Sequence, residues 1–316
     1  MTDPRALTLP LAAHGLAGSM FDMPDGPFAP DEWFELVRNC RTNGLIGMLA
    51  AAVQRGDMRL TPPQAEELAV LENETAGIAL LVEQRAARLA ALLGAADVGH
   101  RLLGGPARGR LGYRRPGIRT FDNALMLVEP KGMEVAPPPR GVVMTTTLIP
   151  PEGRPITLRD LADPPTLLAL AEQPVPTVSV EEHLVLACLD VAGSWARDLA
   201  DPRGILDLVA QRDVAELALF PAIDPARVQQ TAESWGVVDL VARAVVEVWH
   251  LFELADRTRL SVWAYRMTDL PVGGRTAASR SNPAIHPERR PAAAPASATG
   301  RLGRMVHKLA PGRHGG

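Results

Sequence analysis

The sequence predicts an α+β protein, a small mixed sheet between two helical blocks with a basic tail. Three observations lead there. Residues 31–94 carry apolar side chains at helical spacing, residues 95–180 change to glycine, proline and β-branched runs, and residues 180–267 return to helical spacing. At 316 residues with 47% hydrophobic composition, the chain is long enough for one large core or two modest ones, which excludes a disulfide-stapled miniprotein.

The elements follow in order. Residues 1–28 are punctuated by Gly and Pro and read as irregular. Asp31 reads as the N-cap of a first helix through Trp33, Phe34, Leu36 and Val37, and residues 43–55 read as a second. Pro62 and Pro63 open the best helix of the chain, whose stripe of Leu68, Leu71, Thr75, Ile78, Val82, Leu89 and Leu92 runs to about Gly94. Residues 119–128 and 141–149 read as strands, parted by the Pro137 to Pro139 break. Helices return from Val180, and no internal repeat is present. The chain thus divides into a helical region at 1–94, a sheet core at 95–180, a second helical region at 181–270 and a tail at 271–316.

Charge separates the tail from the body. The formal net charge is -3, yet residues 271–316 alone carry eight cations and one acid, so the body before them is strongly acidic. An acidic body does not suit a general nucleic-acid binder, whereas the tail suits weak contact with nucleic acid or another anionic surface. Its Pro/Ala/Gly/Ser composition predicts disorder, and Leu302, Met305, Val306 and Leu309 are spaced for one short basic amphipathic helix. No apolar run reaches the roughly 20 residues of a membrane span. There is no secretory signal pattern, and two cysteines make no disulfide framework, so the expected setting is a reduced cytoplasm.

The segment that carries most information is 102–128, LLGGPARGRLGYRRPGIRTFDNALMLV. Its order of Leu103-Gly104-Gly105-Pro106-Ala107, then Tyr113, Pro116, Gly117 and Arg119, then Met126-Leu127-Val128 resembles the uncharacterised bacterial nucleotidyltransferase family of the DNA polymerase β superfamily. Beyond this segment the likeness is loose, with Arg203 and Asp207, at helical i,i+4 spacing, matching an Arg and Asp after the family's core. The resemblance implies a reduced nucleotidyltransferase-like core in which Gly104 and Gly105 hold phosphate and Arg119 steadies it. It also implies an Asp-x-Asp pair and a third carboxylate that hold Mg²⁺ while an NTP donates its NMP to a hydroxyl acceptor.

This sequence departs from that pattern where the chemistry lies. Asn123 and Leu125 stand at the paired Asp positions, and residues 142–148 contain no acid for the third. A one-residue slip would make Asp122 the first ligand, with Glu129 or Glu134 beside it, but adjacent strand residues face opposite ways, so Asp122 and Asn123 would not share an ion. The implied function is therefore a catalytically impaired homologue that binds a nucleotide, another ligand or a protein partner. One alternative is an active Mg²⁺-dependent enzyme with a rearranged site around Asp122. The other, from a different class, is a helical protein-interaction module with a basic tail.

The remaining candidates have plainer readings. Gly104, Gly105, Gly109 and Gly112 make a loop that either only joins helix to strand or cradles phosphate with Arg108, Arg110, Arg114 and Arg115. His14, His100, His183 and His250 lack metal-ligand spacing, with His183 expected to cap a helix start and His250 to pack in the core. Cys40 and Cys188, on apolar helix faces without a basic neighbour, read as buried small hydrophobes, and Ser194 lies in no nucleophile elbow. Trp195, Trp235, Trp249 and Trp263 are expected to fill the core.

Overall fold

The structure, a computed structural model, describes residues 4–115, 117–198, 207–255 and 257–268, with backbone alone for 4–6 and 194–198. The tail at 271–316, Pro116 and Arg203 lie outside the described residues. Four helices come first: α1 (Pro4–Ala13), α2 (Pro30–Thr42), α3 (Ile46–Gln54) and α4 (Pro62–Ala95). The core follows as β1 (His100–Leu103), α5 (Gly105–Leu111), β2 (Ala124–Val128), α6 (Gly132–Val135), β3 (Val142–Thr145), β4 (Thr166–Leu170) and β5 (Gln173–Thr177). Five further helices complete the described chain: α7 (Val180–Asp198), α8 (Leu208–Ala218), α9 (Pro225–Trp235), α10 (Val238–Leu251) and α11 (Arg259–Thr268). No helix among the described residues is long and apolar enough to cross a membrane.

The α+β class holds, and the sheet is mixed, with strand order β3-β2-β1-β5-β4. β1 runs antiparallel to β2 and parallel to β5, β2 runs parallel to β3, and β4 closes the edge antiparallel to β5. The parallel step from β2 to β3 needs a crossover, and the short stretch between them supplies it with the single turn of α6. Alternation along the strands sorts two cores. Leu102, Met126, Val128 and Met144 pack with Val82, Leu89 and Leu93 of α4, whereas Leu103 and Leu127 join the larger cluster built by α1–α3 and α7–α11.

The elements differ from expectation in instructive places. Residues 4–13 are helical despite Pro10, because Leu11, Ala12 and Ala13 are fully buried and Arg212 of α8 donates to the Ala12 and His14 carbonyls at the helix end (2.6 and 2.8 Å). Packing overrides propensity there. Asp31 is not the cap of α2: Ala29 occupies that position, Pro30 opens the helix and Asp31 lies in its first turn. The second helix starts at Ile46, later than read, and Gly47 within it lets the Gly117 and Ile118 carbonyls come to where a Cβ would stand. The first strand run shortens to Ala124–Val128 and the second to Val142–Thr145. By contrast, α4 has the predicted start and end, with Thr61 and Gln64 forming a reciprocal capping box around Pro62 and Pro63.

Trp235 and Trp249 are core residues as expected, and Trp263 packs at the edge of the larger cluster. Cys40 and Cys188 are both buried. Burial pushes the Cys40 thiol up to about 12 and raises Cys188 as well, although Arg108 is a basic neighbour of Cys188 that the sequence did not reveal. Truncating Leu93, fully buried between α4 and the sheet, tests the smaller core. Leu93→Ala should lower unfolding free energy by about 2–5 kcal/mol, read from urea denaturation at an unchanged m-value.

Candidate functional site

At the end of the sheet where β1 finishes and β2 begins, the chain turns into a sharp corner. Gly104 takes φ 77° and ψ -149° there, a conformation essentially reserved for glycine, and it caps the short helix α5. Beside the corner an open cleft of about 430 Å³ brings together Gly105, Arg119, Asp122 and Asn123. Its other walls are Arg41 to Gly44 from the joint between α2 and α3, Thr75 and Ile78 of α4, and Asp207 at the start of α8. Thr120 fastens the walls together, its hydroxyl donating to the Gly44 carbonyl (3.0 Å). Four residues singled out from sequence thus share one cleft, with Gly104 at its corner.

The side chains in that cleft have other duties than those expected. Arg119 makes a bidentate pair with Asp213, Nε to Oδ1 at 2.9 Å and Nη2 to Oδ2 at 3.0 Å, and donates through Nη1 to the Thr120 carbonyl. Its guanidinium faces the protein interior. Asp207 is the N-cap of α8, accepting from the Ala210 amide (3.2 Å), while its expected partner Arg203 lies outside the described residues. Arg41 pairs with Glu74 at 3.2 Å. Asp122 and Asn123 precede β2 rather than lying within it, so strand alternation does not apply to them. They sit side by side, with Asn123 Nδ2 donating to Asp122 Oδ1 (2.9 Å), and both are exposed.

Leu125 stands against Gly104 and pairs in register with Val143 of β3. Asn123, just before β2, and the paired Leu125 and Val143 offer one amide oxygen and two hydrocarbons. This donor set does not fit Mg²⁺, which takes several hard oxygen ligands in near-octahedral geometry. Glu129 and Glu134 lie at the other end of β2 or beyond it, away from Asp122. Among the described residues no three His, Cys, Asp or Glu side chains are grouped to hold a metal ion.

The glycine segment is not a free loop. Gly109 lies inside α5 and Gly112 is its C-cap, while Arg110 makes a bidentate pair with the buried Glu83 (3.0 and 2.6 Å). Arg108 pairs with Asp190 at 2.7 Å and Asp213 at 3.4 Å, and Arg114 and Arg115 are exposed.

The residue that organises the segment is one the sequence did not single out. Asp213 of α8 is fully buried and accepts from Tyr113 Oη (2.7 Å), from both Arg119 nitrogens and from Arg108 Nη1. Burial pulls its carboxyl upward, but Arg119 and Arg108 outweigh that and hold it below the usual carboxylate range. The phenol of Tyr113 is pushed up by burial and by the Asp213 charge. No periodicity marks Asp213, since its partners lie about a hundred residues away. His183 belongs to the same buried region. Rather than capping α7, a task shared by Ser179 and Glu182, it donates from Nε2 to Thr177 Oγ1 (2.8 Å), whose own proton goes to the Leu102 carbonyl (2.6 Å). Burial, with Arg108 nearby, lowers the His183 imidazole to about 3.

No protein-family model matches the chain, and neither a curated protein nor a solved structure matches it.

Two measurements test this network. Asp213→Ala leaves two arginines buried without their shared carboxylate and should cost about 3–5 kcal/mol in chemical denaturation, with Tyr113→Phe costing about 1 kcal/mol. His183 stays neutral when folded but takes a proton at 6.5 when unfolded. Its contribution is full above pH 6.5 and falls by about 1.4 kcal/mol per pH unit down to about 3. Glu247, which burial raises to about 7, runs the other way between 4.5 and 7. The His183 slope is therefore read as the difference in unfolding free energy between the parent and His183→Gln across that range, and a pH-independent difference would refute it.

Proposed function

We propose that this chain is a nucleotidyltransferase-like protein that no longer transfers nucleotidyl groups and uses the cleft beside Gly104 to bind a ligand, nucleotides being the first class to test. The reading draws on the sequence resemblance of residues 102–128 and on one structural observation above others. On that resemblance Asn123 and Leu125 stand at the paired carboxylate positions, and Val143, in register with Leu125 across β2 and β3, brings no acid beside them. Supporting it are the glycine corner between β1 and α5, the antiparallel return of β2, and the gathering of Gly105, Arg119, Asp122 and Asn123 on one cleft. Both cleft arginines are paired with carboxylates, so the ligand is held mainly by Asp122, Asn123 and the exposed backbone rather than by free cations.

A second reading, a protein-docking helix, is favoured by α4. Val70, Ile78 and Leu81 share one side of that helix and are 57%, 47% and 50% exposed in its middle stretch, where it leaves one core and enters the other. Docking there would shut the cleft, since Ile78 is part of its wall.

Calorimetric titration of ATP, CTP, GTP and UTP, with and without Mg²⁺, tests the first reading. The expected outcome is binding that does not need the metal and weakens about tenfold in Asn123→Ala, the loss of one hydrogen bond to a charged ligand. Release of pyrophosphate, or metal-dependent binding abolished by Asp122→Ala, would overturn the loss of catalysis. Absence of any nucleotide binding would remove nucleotides as the ligand class.

A further inference from the structure

The opposite end of the same sheet carries a larger cleft, about 1050 Å³, where β1 begins and β2 and β3 finish. Its floor is Arg101 of β1, and its rim includes Lys131, Arg159 and the threonines 146 and 147. None of these residues belongs to the first cleft.

Arg101 is the unusual member. It is only 9% exposed, yet among the described residues its five N–H donors make one hydrogen bond, from Nη1 to the adjacent His100 carbonyl at 2.9 Å. Its Nε is buried without a partner. The nearest carboxylate, Asp163, lies 3.6 Å from Nη2, beyond hydrogen-bonding distance, and is itself 87% exposed at the side chain. Burying a guanidinium this poorly satisfied is costly, and the desolvation lowers its pKa despite the pull of Asp163 and Glu182. Compare Arg108 and Arg119, whose carboxylates raise theirs.

The lining holds two carboxylates, Asp163 and Glu129, but also further donors. Arg159 is exposed and makes no hydrogen bond among the described residues. The hydroxyls of Thr146 and Thr147 are likewise without protein partners there, the local turn being closed by Thr145 instead. Glu129 is committed, accepting from the Gly99 amide at 3.1 Å and pairing with Lys131 at 3.3 Å, and those contacts hold its carboxyl below the ordinary range. Leu158 offers an apolar wall beside the cations. A fork of unused guanidinium donors at the floor, a second arginine at the rim and two hydroxyls between suit a tetrahedral oxyanion.

We propose that this cleft is a binding site for a phosphorylated small molecule, its phosphate gripped by Arg101 and Arg159 and its body lying along Leu158. The site is independent of the first cleft and of the function proposed for it.

The test uses the full chain and titrates inorganic phosphate and pyrophosphate by calorimetry at low ionic strength, with acetate as the carboxylate control. Both phosphates should bind, acetate should not, and Arg159→Ala should weaken binding about tenfold with an unchanged melting temperature. Arg101→Met should abolish binding while melting no lower than the parent, because it removes a buried charge whose one carboxylate within 4 Å is the exposed Asp163. Asp122→Ala and Asn123→Ala, in the other cleft, should leave phosphate binding as it was. Failure of the parent to bind either phosphate would overturn the proposal, as would binding that Arg159→Ala leaves unchanged, or acetate binding as tightly as phosphate.

Discussion

The buried carboxylate of Asp213 ties together segments that have little else to hold them. The described residues of 112–123 form no regular helix or strand, and such backbone is normally pushed to the surface because its polar groups need water. Here the segment runs between α3, α5 and α8, and its side chains Tyr113 and Arg119 converge on one acid that also takes Arg108 from α5. Two cations around one buried anion would leave an excess of charge. Asp190 of α7, half-exposed, returns the balance from the far side of Arg108. The arrangement is therefore close to neutral as a unit and intolerant of losing any member, as buried ion clusters are. Its net worth in stability is smaller than the cost of breaking it. What it specifies is position: the glycine corner, Thr120 and the Asp122–Asn123 pair stand where they do because Arg119 cannot move.

Long-range geometry rests on α4 in a different way. Its first third, through Leu68 and Leu71, belongs to the larger core, and its last third, from Val82 to Leu93, roofs the sheet. Between them the helix is exposed, and the first cleft opens under that bridge. A helix of 34 residues held at both ends is stiff, so the spacing between the N-terminal helices and the sheet is set by the helix itself. The single-turn cap at Thr61 and the Arg110–Glu83 pair near its far end fix its register against both neighbours.

How much of this the sequence carries depends on whether the signal is local. The α4 boundaries were legible because two prolines, a Thr/Gln capping box and an apolar stripe all lie within the element. β2 and β3 were legible as β-branched and apolar runs. β1 was not, since His100 and Arg101 hide a four-residue strand that is buried along its whole length. β5 was hidden by Pro174 and Pro176, which argue against an inner strand. The fold accommodates them because β5 meets β1 only at Leu102 and Thr177, so the prolines lie beyond that pairing and face a side where no ladder bond is asked of them. At the first cleft, the glycines, Arg119, Asp122 and Asn123 were visible as a motif, but the partner that explains Arg119 was not. A buried aspartate in an otherwise apolar helix looks like any solvated acid until its distant partners are known.

The two clefts show why a charged residue in a motif is weak evidence of binding until its hydrogen bonds are counted. Arg119 has the sequence context of a phosphate ligand, yet its Nε and one nitrogen of its fork are spent on Asp213 and a third donor on a carbonyl. Arg101 has no motif around it, yet four of its five donors find no hydrogen-bond partner among the described residues. A protein interior selects strongly against unsatisfied donors, because each costs on the order of 1–3 kcal/mol when buried. Such a group where a cleft reaches it, with its Nε buried and the rest of its fork short of acceptors, is the more informative observation. On that criterion the end of the sheet with no recognisable sequence pattern has the stronger physical claim to an anion, and the end with the pattern is held rigid by charges that already satisfy one another.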